Sequence, residues 1–349
     1  LKPRAIQLTW PGRPAQTCLP AKGLARPEPL RTWSTANGSL LVHGENLAAL
    51  RALLASHGES VTCAYVDPPF FTNRVHELKV GRKDLRTRLS AFDDRWPDQA
   101  AYLEALAPRL AAIRELLAPH GSLVVHVDPR TSHYVKVILD EIFGPEAFAS
   151  EIVWRYRRWP SKTPNFQRVH DVLLRYRKDP KTAPRWNQCY EPLAASTLAT
   201  WGTTKQRAVF AKSGRRERST STEEPTLGTP MGDVWEIGVL APVSRERTGY
   251  PSQKPEALLE RLIGALSNPG DLVLDPCVGS GTTLAVAARL GRRFVGIDQS
   301  EVAIATARTR LDKAGVELRQ PSGCDPVRDR TGSSADIQGR LELRSRARR

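Results

Sequence analysis

The sequence is short of three things: paired cysteines, long apolar runs and acid. No two of its five cysteines (Cys18, Cys63, Cys189, Cys277, Cys324) form a C-x-x-C pair, and their number is odd. A disulfide framework and a zinc knuckle are therefore not expected, and no His/Cys/carboxylate cluster has metal-ligand spacing. No apolar run approaches the ~18 residues of a membrane span. The first residues, LKPRAIQLTWPGRP, lack the apolar stretch of a secretory signal. The expectation is a soluble protein of a reducing, cytoplasmic compartment. Acid is outnumbered: 52 Lys+Arg stand against 37 Asp+Glu, a formal net charge of +15. That surplus points to a polyanionic partner. The 349 residues suffice for one large α/β domain or two ordinary ones, each with a full core.

The charge is unevenly spread. Residues 151–219 hold 16 Lys/Arg and 5 Asp/Glu, a surplus of +11, together with Trp154, Trp159, Trp186 and Trp201. Aromatic rings between phosphate-binding cations are how proteins hold unstacked nucleotides. Trp154, within an apolar run, is expected in the core; Trp186 and Trp201 sit in polar surroundings. Six prolines crowd residues 1–36, which reads as a proline-rich basic arm or loose wrap. Residues 319–349 end in RLELRSRARR and read as a basic tail. Between them lie two patterned blocks, 37–178 and 233–318, separated by a basic insertion at 179–232.

Within the blocks, apolar runs alternate with helical spacings. Buried strands are expected at 39–43, 61–66, 122–128, 271–276 and 293–298, with further strands at 151–157 and 170–178. Helices are expected at 46–55 with Asn46 as N-cap, at 98–118 through Pro108, and at 133–144, 255–266, 281–291 and 302–314. Such alternation predicts a doubly wound α/β sheet.

Two strand exits carry chemistry. The first is Asp67-Pro68-Pro69-Phe70, after the strand 61–66. Two prolines fix φ and remove two donors, leaving a stiff turn with outward carbonyls. Asp67 and a proline carbonyl would then offer adjacent acceptors to an exocyclic amine, and Phe70 a face for a base. A rigid strand-exit turn without chemistry is the other reading. The second exit is Val278-Gly279-Ser280-Gly281-Thr282-Thr283, whose glycines permit close backbone approach at a helix start. The following strand ends in Asp298, where an acid commonly holds ribose hydroxyls. The turn departs from G-x-G-x-x-G and lacks the lysine of G-x-x-x-x-G-K-[ST], which argues against NAD and ATP.

In their order and spacing these residues resemble the β-subgroup amino-group DNA methyltransferases, which act on adenine N6 or cytosine N4, and among them the type III modification subunits. VDPPF (66–70) is similar to the catalytic motif, and DPCVGSGTT (275–283) to the S-adenosylmethionine loop, with Cys277 in place of the usual Phe. GIDQS (296–300), TGYPSQKPEALLERLI (248–263), LLVHGENLAAL (40–50), FDDRW (92–96) and DVWEI (233–237) match further segments. The resemblance covers roughly 37–312.

It implies a Rossmann-like S-adenosylmethionine-dependent methyltransferase fold, a mixed sheet with circularly permuted motif order. The blocks 37–178 and 233–318 become the catalytic and cofactor-binding halves, and 179–232 a short target-recognition insertion. It assigns catalysis to Asp67, Pro68, Pro69 and Phe70. It assigns cofactor binding to Asp275, Pro276, Gly279, Gly281, Thr282, Asp298, Lys254 and Glu45, the last standing where many members have Asp. No metal is implied. The implied reaction is methyl transfer to adenine N6 in double-stranded DNA, with the base flipped out. N4 of cytosine is the alternative, because an Asp acceptor could hold either amine, and same-fold enzymes acting on RNA or protein are another. Implied partners are DNA and either a restriction subunit or a second copy of the chain, in a prokaryotic or phage-encoded setting.

Overall fold

The computed structural model describes residues 7–11, 13, 30–80, 87–159, 162, 164–203, 208–218 and 226–320. The tail beyond residue 320, most of the arm, and the side chain of Trp201 lie outside the described residues. The first half runs β1 (Arg31–Ser34), β2 (Leu40–His43), α1 (Asn46–His57), β3 (Val61–Val66), β4 (Val75–Val80), β5 (Thr87–Asp93), α2 (Gln99–Leu116), β6 (Leu117–Val127), α3 (Ser132–Phe143), β7 (Phe148–Arg155) and β8 (His170–Arg177). Short elements follow: β9 (Tyr190–Glu191), α4 (Ala195–Trp201), β10 (Ala208–Phe210), β11 (Arg216–Arg218) and β12 (Thr229–Pro230). The chain then forms β13 (Val234–Glu236), α5 (Glu256–Leu266), β14 (Leu272–Asp275), α6 (Thr282–Arg289), β15 (Arg293–Asp298) and α7 (Glu301–Lys313).

Nine strands form one sheet in the order β1-β2-β15-β14-β3-β6-β8-β7-β13. Strands β2, β15, β14, β3 and β6 are mutually parallel, and β8 runs against its neighbours β6 and β7. Every residue of β3 and β14 is buried. A parallel strand covered on both faces favours apolar residues, which is why these strands are predominantly apolar, with Thr62 and the terminal Asp275 as exceptions. Leu272, Leu274, Val295 and Ile297 point into the cluster formed with α1, α2 and α3. The alternate residues Val273 and Phe294 are just as buried, on the face where α5, α6 and α7 pack. Asn187–Asp233 forms a separate compact unit, whose described residues contain two-stranded ladders and α4.

This topology places the site. Strand β14 leads through α6 to β15 on one side, and β3 leads through α2 to β6 on the other. The seam between β14 and β3 is thus a topological switch point, where the crevice at the strands' carboxyl ends receives ligands. Leu274 pairs with Ala64 across that seam. Segments far apart in the sequence therefore emerge side by side.

The structure differs from the sequence reading in four places. Strand β1 lies within the expected arm: beyond Pro29 nothing interrupts pairing, and Trp33 is buried opposite Leu41. Part of the arm also packs down, with Arg13 paired to Glu141 at 2.5 Å and Trp10 Nε1 donating to Glu104. The hairpin β4–β5 falls where no strands were expected. Its Leu78 and Ala91 are buried beneath otherwise polar strands. The N-cap of α1 is Glu45 rather than Asn46, its carboxylate accepting from the N–H groups of Leu47 (3.0 Å) and Ala48 (2.8 Å). Helix α2 continues through Pro108. Among the described residues no helix is long and apolar enough to cross a membrane, and no group of His, Cys, Asp and Glu could hold a metal ion.

Candidate active site

Asp67 follows β3 directly. Its carboxylate receives the Lys254 ammonium at 2.8 Å on Oδ1 and 2.6 Å on Oδ2. The same ammonium lies 4.7 Å from the centre of the Phe70 ring, a cation–π distance. Behind the turn, the fully buried His126 ring stands 5.3 Å from Phe70, with Nδ1 3.7 Å from Asp67 Oδ1. His126 is held at both nitrogens, by the Tyr65 hydroxyl at 2.7 Å on Nδ1 and Asp171 at 3.2 Å on Nε2. Tyr156 donates to the other Asp171 oxygen at 2.9 Å. Burial pushes the Asp171 carboxyl up, but its bonds from His126 and Tyr156 and the nearby charge of Lys254 hold it below the usual range. Burial drives the Tyr65 phenol well up, so it stays protonated.

The remainder of the turn is shaped by a residue that sequence reasoning passed over. Asp94, the second acid of FDDRW, is 1% exposed. Its carboxylate accepts from the backbone N–H groups of Phe70 (3.1 Å), Phe71 (2.9 Å) and Thr72 (2.8 Å), and from the Thr72 hydroxyl (2.6 Å). Three successive N–H groups around one anion form a nest. The nest bends the backbone into left-handed conformations at Phe71 (φ 58°) and Asn73 (φ 60°), uncommon without glycine. No local pattern announces this role; the available signal was the match of FDDRW (92–96) to a family segment, which says nothing of a nest.

At the neighbouring strand end, β14 closes with Asp275 and the chain turns through Gly279 (φ 51°) and Gly281 (φ 76°). Gly279 donates its N–H to Asp298 Oδ2 at 2.9 Å, and Ser300 donates to Oδ1 at 2.9 Å. A Cβ at Gly279 would meet the Tyr250 ring at 3.2 Å, and one at Gly281 would lie 2.9 Å from the Ala307 backbone. The first glycine keeps the crevice open; the second lets α7 pack against the start of α6. Desolvation pushes Asp275 up to about 7 and Asp298 up to about 6, the latter against the pull of its backbone donors. It also raises the Cys277 thiol, which stays protonated.

Both turns open into one cavity of about 1060 Å³, its mouth included. All the residues singled out in the sequence line it except Glu45 and Gly281. Gly281 is a packing residue. Glu45 caps α1 and pairs with Arg109 at 2.5 Å. Its neighbour Asn46 lines the cavity instead and donates to the Pro276 carbonyl at 3.3 Å. Lys254 lines the cavity with its ammonium already engaged by Asp67. The hairpin supplies a further wall, His76 stacked on Phe92 at 4.4 Å and Phe92 on Tyr250 at 6.4 Å. Trp154 is core, as expected, its Nε1 donating to the Ile237 carbonyl at 2.8 Å. Trp186 is 47% exposed, with the Arg175 guanidinium 4.7 Å from its ring centre.

The chain is similar to known DNA methyltransferases. The type II methyltransferase M.EcaI of Enterobacter cloacae is 30% identical, over 86% of this chain and 74% of its own length. The DNA adenine methyltransferase YhdJ of Escherichia coli (strain K12) is 28% identical, over 82% of this chain and 86% of its own. Where the motif order suggested type III modification subunits, the first of these relatives is named type II. The solved structure of the PvuII DNA methyltransferase (cytosine-N4-specific) superposes with a TM-score of 0.53, at 18% identity over 88% of this chain and 93% of that one. At that identity the likeness concerns the fold, an S-adenosylmethionine-dependent methyltransferase fold. A DNA methylase family model, that of the N6/N4 methyltransferases, matches residues 61–309, and the chain belongs to that family.

Proposed function

We propose that this chain methylates the exocyclic N6 of adenine in duplex DNA, with S-adenosylmethionine as donor. The observation that carries the reading is that the Asp67–Phe70 turn and the Gly279–Asp298 cradle open into one cavity across the β14–β3 seam. A donor and an acceptor bound there are neighbours, and alignment of two bound reactants is worth roughly 7–11 kcal/mol of barrier.

The residues fit the cofactor. Asp275 and Asp298 supply acceptors for an ammonium group and ribose hydroxyls, and Gly279 leaves the room that a side chain would fill. When bound, S-adenosylmethionine supplies a methyl group already activated by its sulfonium, so the protein needs geometry more than a strong base. Asp67 and the Pro68 carbonyl accept the two N–H bonds of the target amine and direct its lone pair. The Asp67 carboxylate is placed to take the proton that the amine loses. Phe70, backed by His126, offers its face to the base. Lys254 links the two halves: its ammonium holds Asp67, and its carbonyl accepts from the Thr282 hydroxyl at 3.3 Å. The overall +15 charge serves the phosphates and helps offset the few kcal/mol of flipping a base.

Adenine is favoured over cytosine by the aspartate that opens the catalytic motif, because cytosine enzymes resembling this family more often have serine there. YhdJ, named an adenine methyltransferase, supports the same choice. The type II name of M.EcaI supports a modification role beside a partner nuclease. The test is nucleoside mass spectrometry of unmethylated duplex DNA incubated with the protein and isotope-labelled S-adenosylmethionine. Labelled N6-methyladenine is expected. Labelled N4-methylcytosine would overturn the base assignment, and no labelled nucleoside would overturn the substrate.

A further inference from the structure

The connection between β7 and β8 has no part in the chemistry above, yet it sits at the same edge of the sheet. Strand β7 runs in the direction of β6, so its carboxyl end joins the edge bearing Asp67. Tyr156, one residue past β7, donates to Asp171, which holds the His126 that faces Asp67. The connection thus begins three side chains from the catalytic carboxylate.

Residues 155–170 hold five Lys/Arg and no Asp or Glu. Three of those cations are tied at the base: Arg155 pairs with Glu236, Arg158 donates to the Tyr156 hydroxyl at 3.1 Å, and Arg168 reaches Asp128 at 2.7 Å. Gln167 Nε2 donates to the Trp159 carbonyl at 2.7 Å, drawing the two sides together. Beyond this fastened base, Trp159 is 91% exposed and Phe166 98%, far more than Trp186. Arg157 and Lys162 are exposed beside them. Two large rings held fully in water cost solubility and contribute nothing to the core. Cations without acids would repel a basic or neutral partner's cations and attract phosphates, so the charge selects a nucleic acid.

We propose that Trp159 and Phe166 enter the base stack of duplex DNA and occupy the space left by the flipped adenine, while Arg157 and Lys162 hold the flanking phosphates. Apolar side chains wedged between base steps stabilise opened DNA in other minor-groove and architectural proteins, and aromatic faces accept any base. The inference rests on the proposed DNA substrate. It assigns to this connection the opening of the duplex, a step separate from methyl transfer at Asp67.

The test uses the full chain and two oligonucleotide duplexes bearing the target site, mapped first by sequencing methylated plasmid DNA. In one duplex the target adenine faces thymine; in the other it faces an abasic site, so its pairing is already broken. For Trp159→Ala and Phe166→Ala, single-turnover methylation should fall about tenfold or more on the paired duplex. On the abasic duplex it should stay within about threefold of wild type. S-adenosylmethionine affinity should be unchanged, since both side chains are exposed and far from the core. Equal loss on both duplexes, or no loss on either, would overturn the proposal. Absence of wild-type activity on either duplex would instead strike the proposed DNA substrate, and is read before any variant is compared.

Discussion

Two turns at adjacent strand ends solve the same problem by opposite means. The cofactor-side turn after β14 reaches positive φ with glycine, at Gly279 and Gly281. The catalytic turn after β3 has two prolines and no glycine, and reaches positive φ at Phe71 and Asn73. Its shape is imposed from outside by the buried Asp94 carboxylate, more than twenty residues away. The first turn carries its freedom in its own sequence; the second is clamped. A ligand cradle needs backbone that can approach closely. A pair of acceptors aimed at one nitrogen needs backbone that does not move.

The comparison can be broken from either side. Asp67→Ala removes the acceptor from the clamped turn and should lower the methylation rate by about 10³-fold or more, with the cofactor dissociation constant within about threefold. Loss of cofactor binding in that variant would mean that the two turns do not divide the work. Asp94→Asn keeps the shape of the clamp and removes its charge. Hydrogen bonds to charged groups are worth about 1.5–3 kcal/mol, so kcat should fall roughly 10–100-fold. Stopped-flow and equilibrium titration should find cofactor affinity nearly unchanged. Gly281→Ala places a Cβ 2.9 Å from Ala307 at a φ of +76° and should lower the thermal midpoint, at a cost of about 1–3 kcal/mol. Asn73→Gly, at a similar φ in the clamped turn, should leave the midpoint almost unmoved.

A further expected effect concerns protons. Asp275 and Asp298 ionise in the folded protein at about 7 and about 6, against 3.8 for an unperturbed aspartate. The native state therefore holds protons that the unfolded chain has released. The stability these protons contribute is complete below about pH 4 and is lost as pH rises through 6 and 7. With both anions drawn on in the proposed cofactor site, calorimetry should find affinity rising roughly a hundredfold per unit below about pH 6, about tenfold between 6 and 7, and levelling above 7. A flat profile would remove the two carboxylates from the binding site.

The two turns also explain what could be read from the sequence. Strands β3, β14 and β15 were legible because burial on both faces favours apolar residues, and the glycine turn because its requirement is local. The clamp was not, because Asp94 acts through the path of a loop rather than through any pattern around it. The hairpin β4–β5 was hidden for a related reason: Leu78 and Ala91 are its buried residues, and charged and polar residues interrupt the apolar ones along both strands. Glu45 was singled out only through the family resemblance; its capping of α1 and its pairing with Arg109, on a helix far along the chain, left no local pattern to read.

The seam between β3 and β14 has a consequence for how the molecule comes into being. Strand β3 is synthesised well before β14, its partner on one side, which begins at Leu272. Until then the strand that will carry the reaction has a bare, largely apolar flank, the kind of edge that recruits other chains. The proposed site is therefore complete only once β14 and the turn after it are in place beside β3. A nascent or truncated chain ending before β14 would have neither a donor pocket nor a closed sheet, which makes an unfinished copy of this enzyme inert toward DNA and prone to aggregate.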